Sequence, residues 1–424
     1  MEEQLRRVLR TPEVLFLGIN GVIGGGIFLL PGQVSQAAGR SAIWAYLAAG
    51  IIAIFIGLAF SAVGRIVTRT GGPYVYAEEA FGALPGFAVG WMSWVTFVLG
   101  WAALTVGLVS YITQLVPALH GLKDVLIVVI LALLCGLNSL GVRRGQGAVT
   151  VFSIAKLIPL ALLIVWGLFL VTTHHSVTGG GAGGHFGQAV LLLIFAYGGF
   201  EMAAIPAGEM TNPKRAVGIG IIGTLAGVTV FYMLIQWASE RLDPHIAHAA
   251  APLMSAGQAM FIGGATVMAV GAAVAIFGTI SGVALTAPRV LYALSLRRAL
   301  PPQLAMIWQP FRTPVVAIWV TGIIVAVLAI SGTFTHLIFI NVAARLFEYC
   351  MVALAAVKLG LRRQTPEASA SRPIWGVVVS GIAAVVTLAL LTRESLTALL
   401  AAALALAVGL AIYGLAQLAA RSVS

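Results

Sequence analysis

Two short glycine runs inside apolar stretches are the residues of this chain best suited to binding a small polar solute. Gly24, Gly25 and Gly26 lie in "NGVIGGGIFLLPG", and Gly198 and Gly199 lie in "LLIFAYGGFEMAAIP". Each glycine weakens a helix by about 0.5–1 kcal/mol relative to alanine, so consecutive glycines predict a break. A break in hydrocarbon leaves backbone groups that only protein, ions or a water-filled cavity can satisfy. Both runs therefore predict exposed backbone groups that line a binding site.

The polarity of the broken ends predicts a ligand with two charges. A half-helix that starts near Ile27 presents free N–H groups and the positive end of its dipole, which suit a carboxylate. Helices that end at the breaks leave unpaired carbonyls, which suit an ammonium. Because an α-amino acid carries both groups on one carbon, we expect an α-amino acid at this site.

Four ionisable residues fall inside apolar stretches, where a charge costs several kcal/mol and needs a reason. Lys156 lies in "VFSIAKLIPLALLIV" and serves either ion coupling or a structural tether. Glu201 follows the second glycine run, where it belongs to a gate or proton path or caps the half-helix. Arg345 and Glu348 are three residues apart, on one helix face, which predicts an internal ion pair rather than a substrate contact.

The composition requires a membrane to position these residues. Of 424 residues, 60% are hydrophobic and 9% are charged, and the mean hydropathy is +1.03, whereas about a quarter of the residues of a soluble chain are charged. Apolar runs of about 20 residues, long enough to cross a bilayer, recur throughout. We predict an all-α integral membrane protein with twelve spans: 13–37, 41–63, 85–114, 124–141, 147–172, 187–208, 216–238, 262–293, 314–331, 335–358, 373–391 and 396–418.

The basic charge follows the membrane topology. With a cytoplasmic N-terminus, 18 of the 24 Lys and Arg lie on the inner side, which is the positive-inside pattern. We therefore expect a plasma membrane protein, of a bacterial inner membrane, with both termini cytoplasmic, and no nucleic-acid partner for the net charge of +11. Cys135 and Cys350 both fall in spans, so a disulfide framework is not expected.

The places of the two glycine runs predict an internal repeat. They fall in the first and sixth spans, which correspond if spans 1–5 and 6–10 are repeats of opposite orientation. Paired interrupted helices of this kind point to the midplane site of a transporter, and close helix packing by glycine alone is the alternative. We predict a single transporter domain over 1–424, with a first inverted repeat at 1–172, a second at 187–360 and two additional helices at 373–418.

Five stretches resemble the amino acid–polyamine–organocation (APC) family. "GVIGGGIF" resembles its first-helix signature G-x-I-x-G-S/T-G-I-F, and "FAYGGFE" resembles its broken sixth helix. The other three are "RTGGPYVYAEEAFG", "GEMTNPKRAV" and "APRVLYALSLRRALP". The resemblance implies the fold with five-plus-five inverted repeats and broken helices 1 and 6 that sodium-coupled neurotransmitter transporters also have (the LeuT-like fold), with helices 11 and 12 appended.

The resemblance also implies roles for particular residues. The substrate carboxylate would lie on the amides of Gly24–Gly26, where Gly25 replaces the Ser or Thr of many relatives. The α-ammonium would meet the carbonyls of Val22, Phe195 and Gly198. Phe195 falls at an aromatic gate, although ordinary packing is the alternative. The expected substrate-binding set is Val22, Ile23, Gly24, Gly25, Gly26, Phe195, Tyr197, Gly198 and Gly199, with Phe195 and Glu201 as gate residues.

Lys156 resembles the lysine that sodium-independent members carry where sodium-coupled relatives hold a cation. Its ammonium would then reach carbonyls at the first break and a hydroxyl of span 8, either Thr279 or Ser281. This predicts transport that is independent of sodium and leaves proton coupling and exchange open. Glu209 and Arg215 form an inner gate or are ordinary interfacial charges.

These observations predict a permease for amino acids, with neutral ones favoured because no acid other than Glu201 faces the site. The alternative on the same fold is a polyamine or cationic amino acid antiporter or exporter. Sodium-coupled amine or nucleobase carriers, ion channels and enzymes fit less well. Asp124 and Asp243 lie at outer ends, and no H-E-x-x-H motif occurs. We expect no cofactor and no functional metal, and we interpret His174 and His175 as solvated loop residues.

Overall fold

Helices account for nearly all of the chain that the structure describes. The computed structural model describes residues 9–67, 71–141, 156–170, 185–204, 210–362 and 374–421. The helices are α1 Thr11–Val22, α2 Gly26–Ala38, α3 Ala42–Gly64, α4 Pro73–Phe81, α5 Ala83–Leu115, α6 Lys123–Ser139, α7 Leu157–Val165, α8 Phe186–Tyr197, α9 Pro213–Leu242, α10 Pro252–Gln258, α11 Gly264–Leu296, α12 Val315–Ser331, α13 Phe334–Arg362, α14 Ile374–Leu391 and α15 Leu396–Arg421.

The helices confirm a multi-pass membrane protein. Within the described ranges, nine helical stretches are long and apolar enough to cross a bilayer, and Leu157–Leu170 and Val315–Ser331 are shorter apolar helices. Large apolar side chains cover the outside, as Val385 on α14 and Leu404 on α15 illustrate. Such a surface suits lipid, since soluble proteins rarely expose apolar patches of this extent. The total of twelve spans and the division into repeats stay predictions.

Both glycine runs break the helical path where the sequence predicts it. α1 ends at Val22 and α2 begins at Gly26, so the intervening residues form no regular helix. α8 ends at Tyr197, Gly198 is extended, and Gly199 has φ +108°, a conformation that favours glycine. A short 3₁₀ turn, Phe200–Ala203, follows in place of the expected α-helical half.

The packing of the helices brings the two breaks into the interior. α1 packs against α9 and the 3₁₀ turn, and α2 packs against α8. On the other side, α5 packs against both α11 and α13. The residues that flank both breaks are consequently buried almost throughout.

On the predicted inner side, a hydrogen bond and an ion pair connect segments that are distant in sequence. The N–H of Thr211 donates to the carbonyl of Leu9 at 2.9 Å, which joins the start of α1 to the start of α9. Arg297, after α11, forms an ion pair of 2.8 Å with Glu78 on α4. Burial and a hydrogen bond to Glu78 raise the pKa of Tyr74 to about 12. Tyr74 is therefore a neutral hydrogen-bond donor at physiological pH.

Candidate functional site

The two breaks touch each other through their backbones. A Cβ atom placed on Gly21, in the last turn of α1, would lie 2.6 Å from the carbonyl oxygen of Gly199. A Cβ atom on Gly199 would in turn collide with the carbonyl of Gly21. Any side chain at either position would therefore force the broken helices apart.

The first break leaves amide groups that an anion can use. The N–H of Gly24 donates to the carbonyl of Val22 at 2.7 Å. Within the described part of the chain, no backbone hydrogen bond takes the N–H groups of Gly25 or Gly26. Gly25 is the N-cap and Gly26 the first residue of α2, where N–H groups have no partner within the helix and the dipole is positive. This arrangement can hold a carboxylate, although the assignment to a substrate stays a prediction.

Neighbouring side chains pack tightly around the same three glycines. A Cβ atom on Gly24 would lie 3.2 Å from Cγ2 of Thr279, and one on Gly25 would lie 2.7 Å from Cγ1 of Ile276. A Cβ atom on Gly26 would lie 3.3 Å from Cε1 of Phe195. The glycines therefore serve close helix packing as well as any binding.

Two of the carbonyls expected to bind an ammonium already accept hydrogen bonds. The Tyr232 hydroxyl, from α9, donates to the carbonyl of Val22 at 2.9 Å and lies 3.3 Å from that of Ala196. The carbonyl of Phe195 accepts the N–H of Gly198 at 3.1 Å. Tyr232 thus bridges both breaks, a role that sequence reasoning missed. The sequence feature that could have indicated this role is the Tyr232 hydroxyl, which lies in the middle of an apolar span and needs a hydrogen-bond partner there.

The two aromatic residues of the predicted binding set have different surroundings. Phe195 covers Gly26 and meets Phe334 edge to face, with the ring centroids 6.5 Å apart. The hydroxyl of Tyr197 donates to the carbonyl of Tyr46 on α3 at 2.9 Å, away from the breaks. Phe195 is therefore placed as a cover over the first break, whereas the Tyr197 side chain anchors α8 to α3.

Lys156 reaches the first break, but through a different partner from the one expected. Its ammonium donates to the backbone carbonyl of Asn20 at 3.0 Å and to the side-chain oxygen of Asn20 at 2.7 Å. Thr279 and Ser281 instead donate to carbonyls one turn earlier in α11, at 2.9 and 2.7 Å. In this structure the ammonium is bonded to Asn20 and not to either of these hydroxyls. The side chain of Asn20 takes that place.

The second break is held by charged groups. A guanidinium nitrogen of Arg345, from α13, lies 2.9 Å from Oε1 of Glu201. The other carboxylate oxygen accepts the N–H of Gly199 at 2.9 Å and the hydroxyl of Tyr349 at 3.2 Å. Glu201 therefore caps the 3₁₀ turn and also links the break to α13.

The expected pair of Arg345 with Glu348 is wrong, because Arg345 pairs with Glu201. A Cβ atom on Gly198 would collide with the guanidinium, so this glycine makes the room that lets Arg345 reach the break. The spacing correctly predicts that Arg345 and Glu348 lie on one face of a helix. It does not predict that the carboxylate bound to Arg345 comes from Glu201 in another segment. Glu348 is left buried without that partner.

Some predictions fall on parts of the chain outside the described residues. They concern Glu209 of the inner gate, residues 151–155 before Lys156, and the loop histidines His174 and His175. Arg215, the other inner-gate candidate, is exposed in the first turn of α9.

Comparisons with known proteins identify the family to which this chain belongs. Residues 9–413 match the family model described as amino acid permease, which confirms the resemblance to the APC family. The serine/threonine exchanger SteT of Bacillus subtilis is 33% identical over 72% of this chain and 72% of its own length. The branched-chain amino acid permease BcaP of Lactococcus lactis is 26% identical, over 89% of this chain and 87% of its own length. Cationic amino acid transporter 4 of Mus musculus is 26% identical over 87% of this chain and 62% of its own.

Proposed function

Because the chain belongs to the amino acid permease family, we propose that it is a secondary active transporter that moves neutral amino acids across the plasma membrane by alternating access. The observation that carries this proposal is the contact between two broken helices, one with free amides and one with a charged link. Enzymatic chemistry is not needed, since the names of the relatives describe transporters.

The proposed architecture is twelve spans in the LeuT-like fold. α1 with α2 forms broken span 1, and α8 with the 3₁₀ turn forms broken span 6. Residues 1–172 and 187–360 are the inverted repeats, and 373–418 adds two helices, all within one domain over 1–424. The interruption of one helix in each half supports this division. The excess of basic residues on one side supports cytoplasmic termini and, with the family, a bacterial inner membrane.

In the proposed site, the N–H groups of Gly25 and Gly26 bind the substrate carboxylate. The α-ammonium takes the carbonyls of Val22 and Gly198 as the resemblance implies. The Tyr232 hydroxyl occupies the Val22 carbonyl in this structure, so the ammonium must share that oxygen or displace the hydroxyl. Ile23, Gly24, Gly199 and Tyr197 complete the lining.

A neutral side chain is favoured by Arg345. Its guanidinium lies against Gly198 in the wall of the site, and in a medium of low dielectric a positive charge repels a second one strongly. Glu201, the acid that could attract a cationic side chain, already pairs with Arg345. The second candidate, a polyamine or cationic amino acid antiporter, is supported by the similarity to cationic amino acid transporter 4.

Sodium independence is supported by the position of Lys156. Its ammonium is bound one turn before the first break, near the place that the resemblance gives to a cation in sodium-coupled relatives. A fixed positive charge there would perform the structural role of the ion. Phe195 and Glu201 are the proposed gate residues. Phe195 lies against Gly26 at the first break, and Glu201 accepts the N–H of Gly199 at the second.

A binding screen followed by flux measurement tests this function. In a thermal-shift screen of the purified protein, we expect neutral amino acids to raise the melting temperature. Lysine, arginine and polyamines should leave it unchanged. An amino acid should also stabilise it more than its methyl ester, which lacks the carboxylate charge. In proteoliposomes, uptake should not require a sodium gradient.

Matched glycine variants locate the carboxylate. Gly26→Ala places a methyl group between the free amides and Phe195, and it should weaken substrate binding. Gly227→Ala adds the same group on α9, where nothing lies within 4 Å, and should bind normally. Equal binding by both variants, or strict dependence of uptake on sodium, would contradict the assignment.

A further inference from the structure

Glu348 is a buried acid that belongs to the charged cluster beside the second break. It lies at the midpoint of α13, with 4% of its surface exposed. It interacts electrostatically with Glu201 and Arg345. Tyr349, the next residue along α13, contacts Glu201 and Arg345 through its hydroxyl.

The charges of this cluster do not balance. Arg345 supplies one positive charge, and Glu201 and Glu348 are two acids. Three donors converge on Glu201, whose oxygens accept from Arg345, Gly199 and Tyr349, whereas Glu348 interacts with the neutral hydroxyl of Ser93 on α5. Glu201 therefore takes the one guanidinium of the cluster, together with two further donors. Glu348 has no cation left to pair with in this cluster.

The helices that pack against α13 supply no second cation. α3, α5, α8 and α14 contain no Asp, Glu, Lys or Arg in the ranges given above. α4 contributes acids at its own end of the bundle, and α15 contributes a cation only at its last residue. The titratable groups of all six elements are Tyr46, Tyr74, Tyr76, Glu78, Glu79, Tyr111, Tyr197, Tyr413 and Arg421.

We propose that Glu348 carries a proton, and that amino acid transport by this chain is coupled to proton movement through this carboxyl group. A second unpaired carboxylate beside Glu201 would cost several kcal/mol in the bilayer interior. The neutral acid avoids that cost while the site is closed. When water enters from one side, the O–H bond ionises and the proton leaves to that side, and the carboxylate takes another proton from the opposite side.

This mechanism rests on the proposed transport function and assigns different roles to two ionisable residues. Lys156 is then a fixed positive charge that replaces an ion, whereas Glu348 gains and loses the proton. Protonation changes the relative stability of closed and hydrated states, as a coupling ion must. The link from Arg345 to the second break would pass this change to the substrate site.

Another buried acid provides a matched control. Glu240 lies two residues before the outer end of α9 and is 8% exposed. Its Oε1 accepts from Ser35 at 2.8 Å and from Gln236 at 2.7 Å. These neutral donors stabilise the carboxylate, and neither of them belongs to the two breaks.

The experiment measures uptake of a substrate amino acid into proteoliposomes with and without an imposed proton gradient. Wild type should accumulate substrate when the gradient is present. Glu348→Gln, which mimics the protonated acid, should keep substrate binding and exchange but lose the stimulation by the gradient. Glu240→Gln should keep that stimulation. If wild type ignores the gradient, or if Glu348→Gln still responds to it, the proposal is overturned.

Two further measurements keep the outcome interpretable. If no amino acid is bound or exchanged by wild type, the transport function itself fails, which differs from transport that ignores protons. If Glu348→Gln does not fold, Glu348→Asp keeps a titrating carboxyl group. Because aspartate is the stronger acid, the pH of half-maximal uptake should shift downwards, and an unchanged pH profile would overturn the proposal.

Discussion

The two broken helices share a glycine interruption but differ in how their polar groups are satisfied. At the first break, the chain between α1 and α2 carries no charge, and its polar partners, Tyr232 and Lys156, come from other helices. At the second break, Glu201 lies two residues after Gly199 and accepts its N–H at 2.9 Å. Arg345, a cation from α13, forms an ion pair with the same carboxylate.

In the proposed site this difference separates binding from structural support. No acid of its own occupies the amides of Gly25 and Gly26 at the first break, so they are the ones proposed to bind an anion. At the second break the charge of Glu201 is paired with Arg345, which attaches this break to α13. We therefore expect substitutions at the second break to reduce stability and those at the first to reduce binding.

The largest effect is expected for Arg345→Met, which leaves the buried Glu201 without its cation. Breaking a buried ion pair in this way costs about 3–5 kcal/mol, measured as a loss of unfolding free energy or a lower melting temperature. The double variant with Glu201→Gln should recover much of the loss. A single variant as stable as wild type would show that the second break needs no charged link.

Gly199→Ala should come next, because the residue has φ +108° and faces the carbonyl of Gly21. A strained backbone conformation of this kind costs about 1–3 kcal/mol, and the backbone collision adds to it. Thermal unfolding beside Gly227→Ala, which adds a methyl group in open space, measures the difference. Equal melting temperatures would mean that the two breaks are not in close contact.

Lys156→Met should have a smaller effect on stability than on transport. It removes two hydrogen bonds from a charged donor to Asn20, each worth about 1.5–3 kcal/mol at most. Asn20→Ala removes only the side-chain acceptor and should be milder. Uptake into proteoliposomes should be abolished by the lysine change. Normal uptake without Lys156 would show that the first break does not need a fixed positive charge in place of an ion.

Phe195→Ala removes the ring that covers Gly26 from one side, and we expect its effect on transport to be smaller than that of the lysine change. We expect a higher apparent KM or slower turnover, because substrate escapes more readily from an uncovered site. Initial uptake rates over a range of substrate concentrations measure both quantities. Unchanged kinetics would assign Phe195 to packing alone.

The positions of the breaks could be predicted because they depend on local properties. Glycine runs weaken a helix wherever they occur, and in an apolar run this predicts a break whatever the neighbouring helices are. α1 ends at Val22 and α8 at Tyr197, directly before the expected runs. The 3₁₀ turn after Gly199 was not predicted, and Glu201 in that turn contacts Arg345 and Tyr349, which lie far along the chain.

By itself, the sequence determined that this is a multi-pass helical membrane protein of the amino acid permease family with two interrupted helices, since apolar runs, glycines and motifs are local patterns. Only the tertiary structure decided which polar groups meet. Lys156 bonds Asn20, Tyr232 bonds Val22 and Arg345 pairs with Glu201, across 136, 210 and 144 positions of the chain. Such pairs depend on how whole helices pack, and helix periodicity predicts only which residues of one helix share a face.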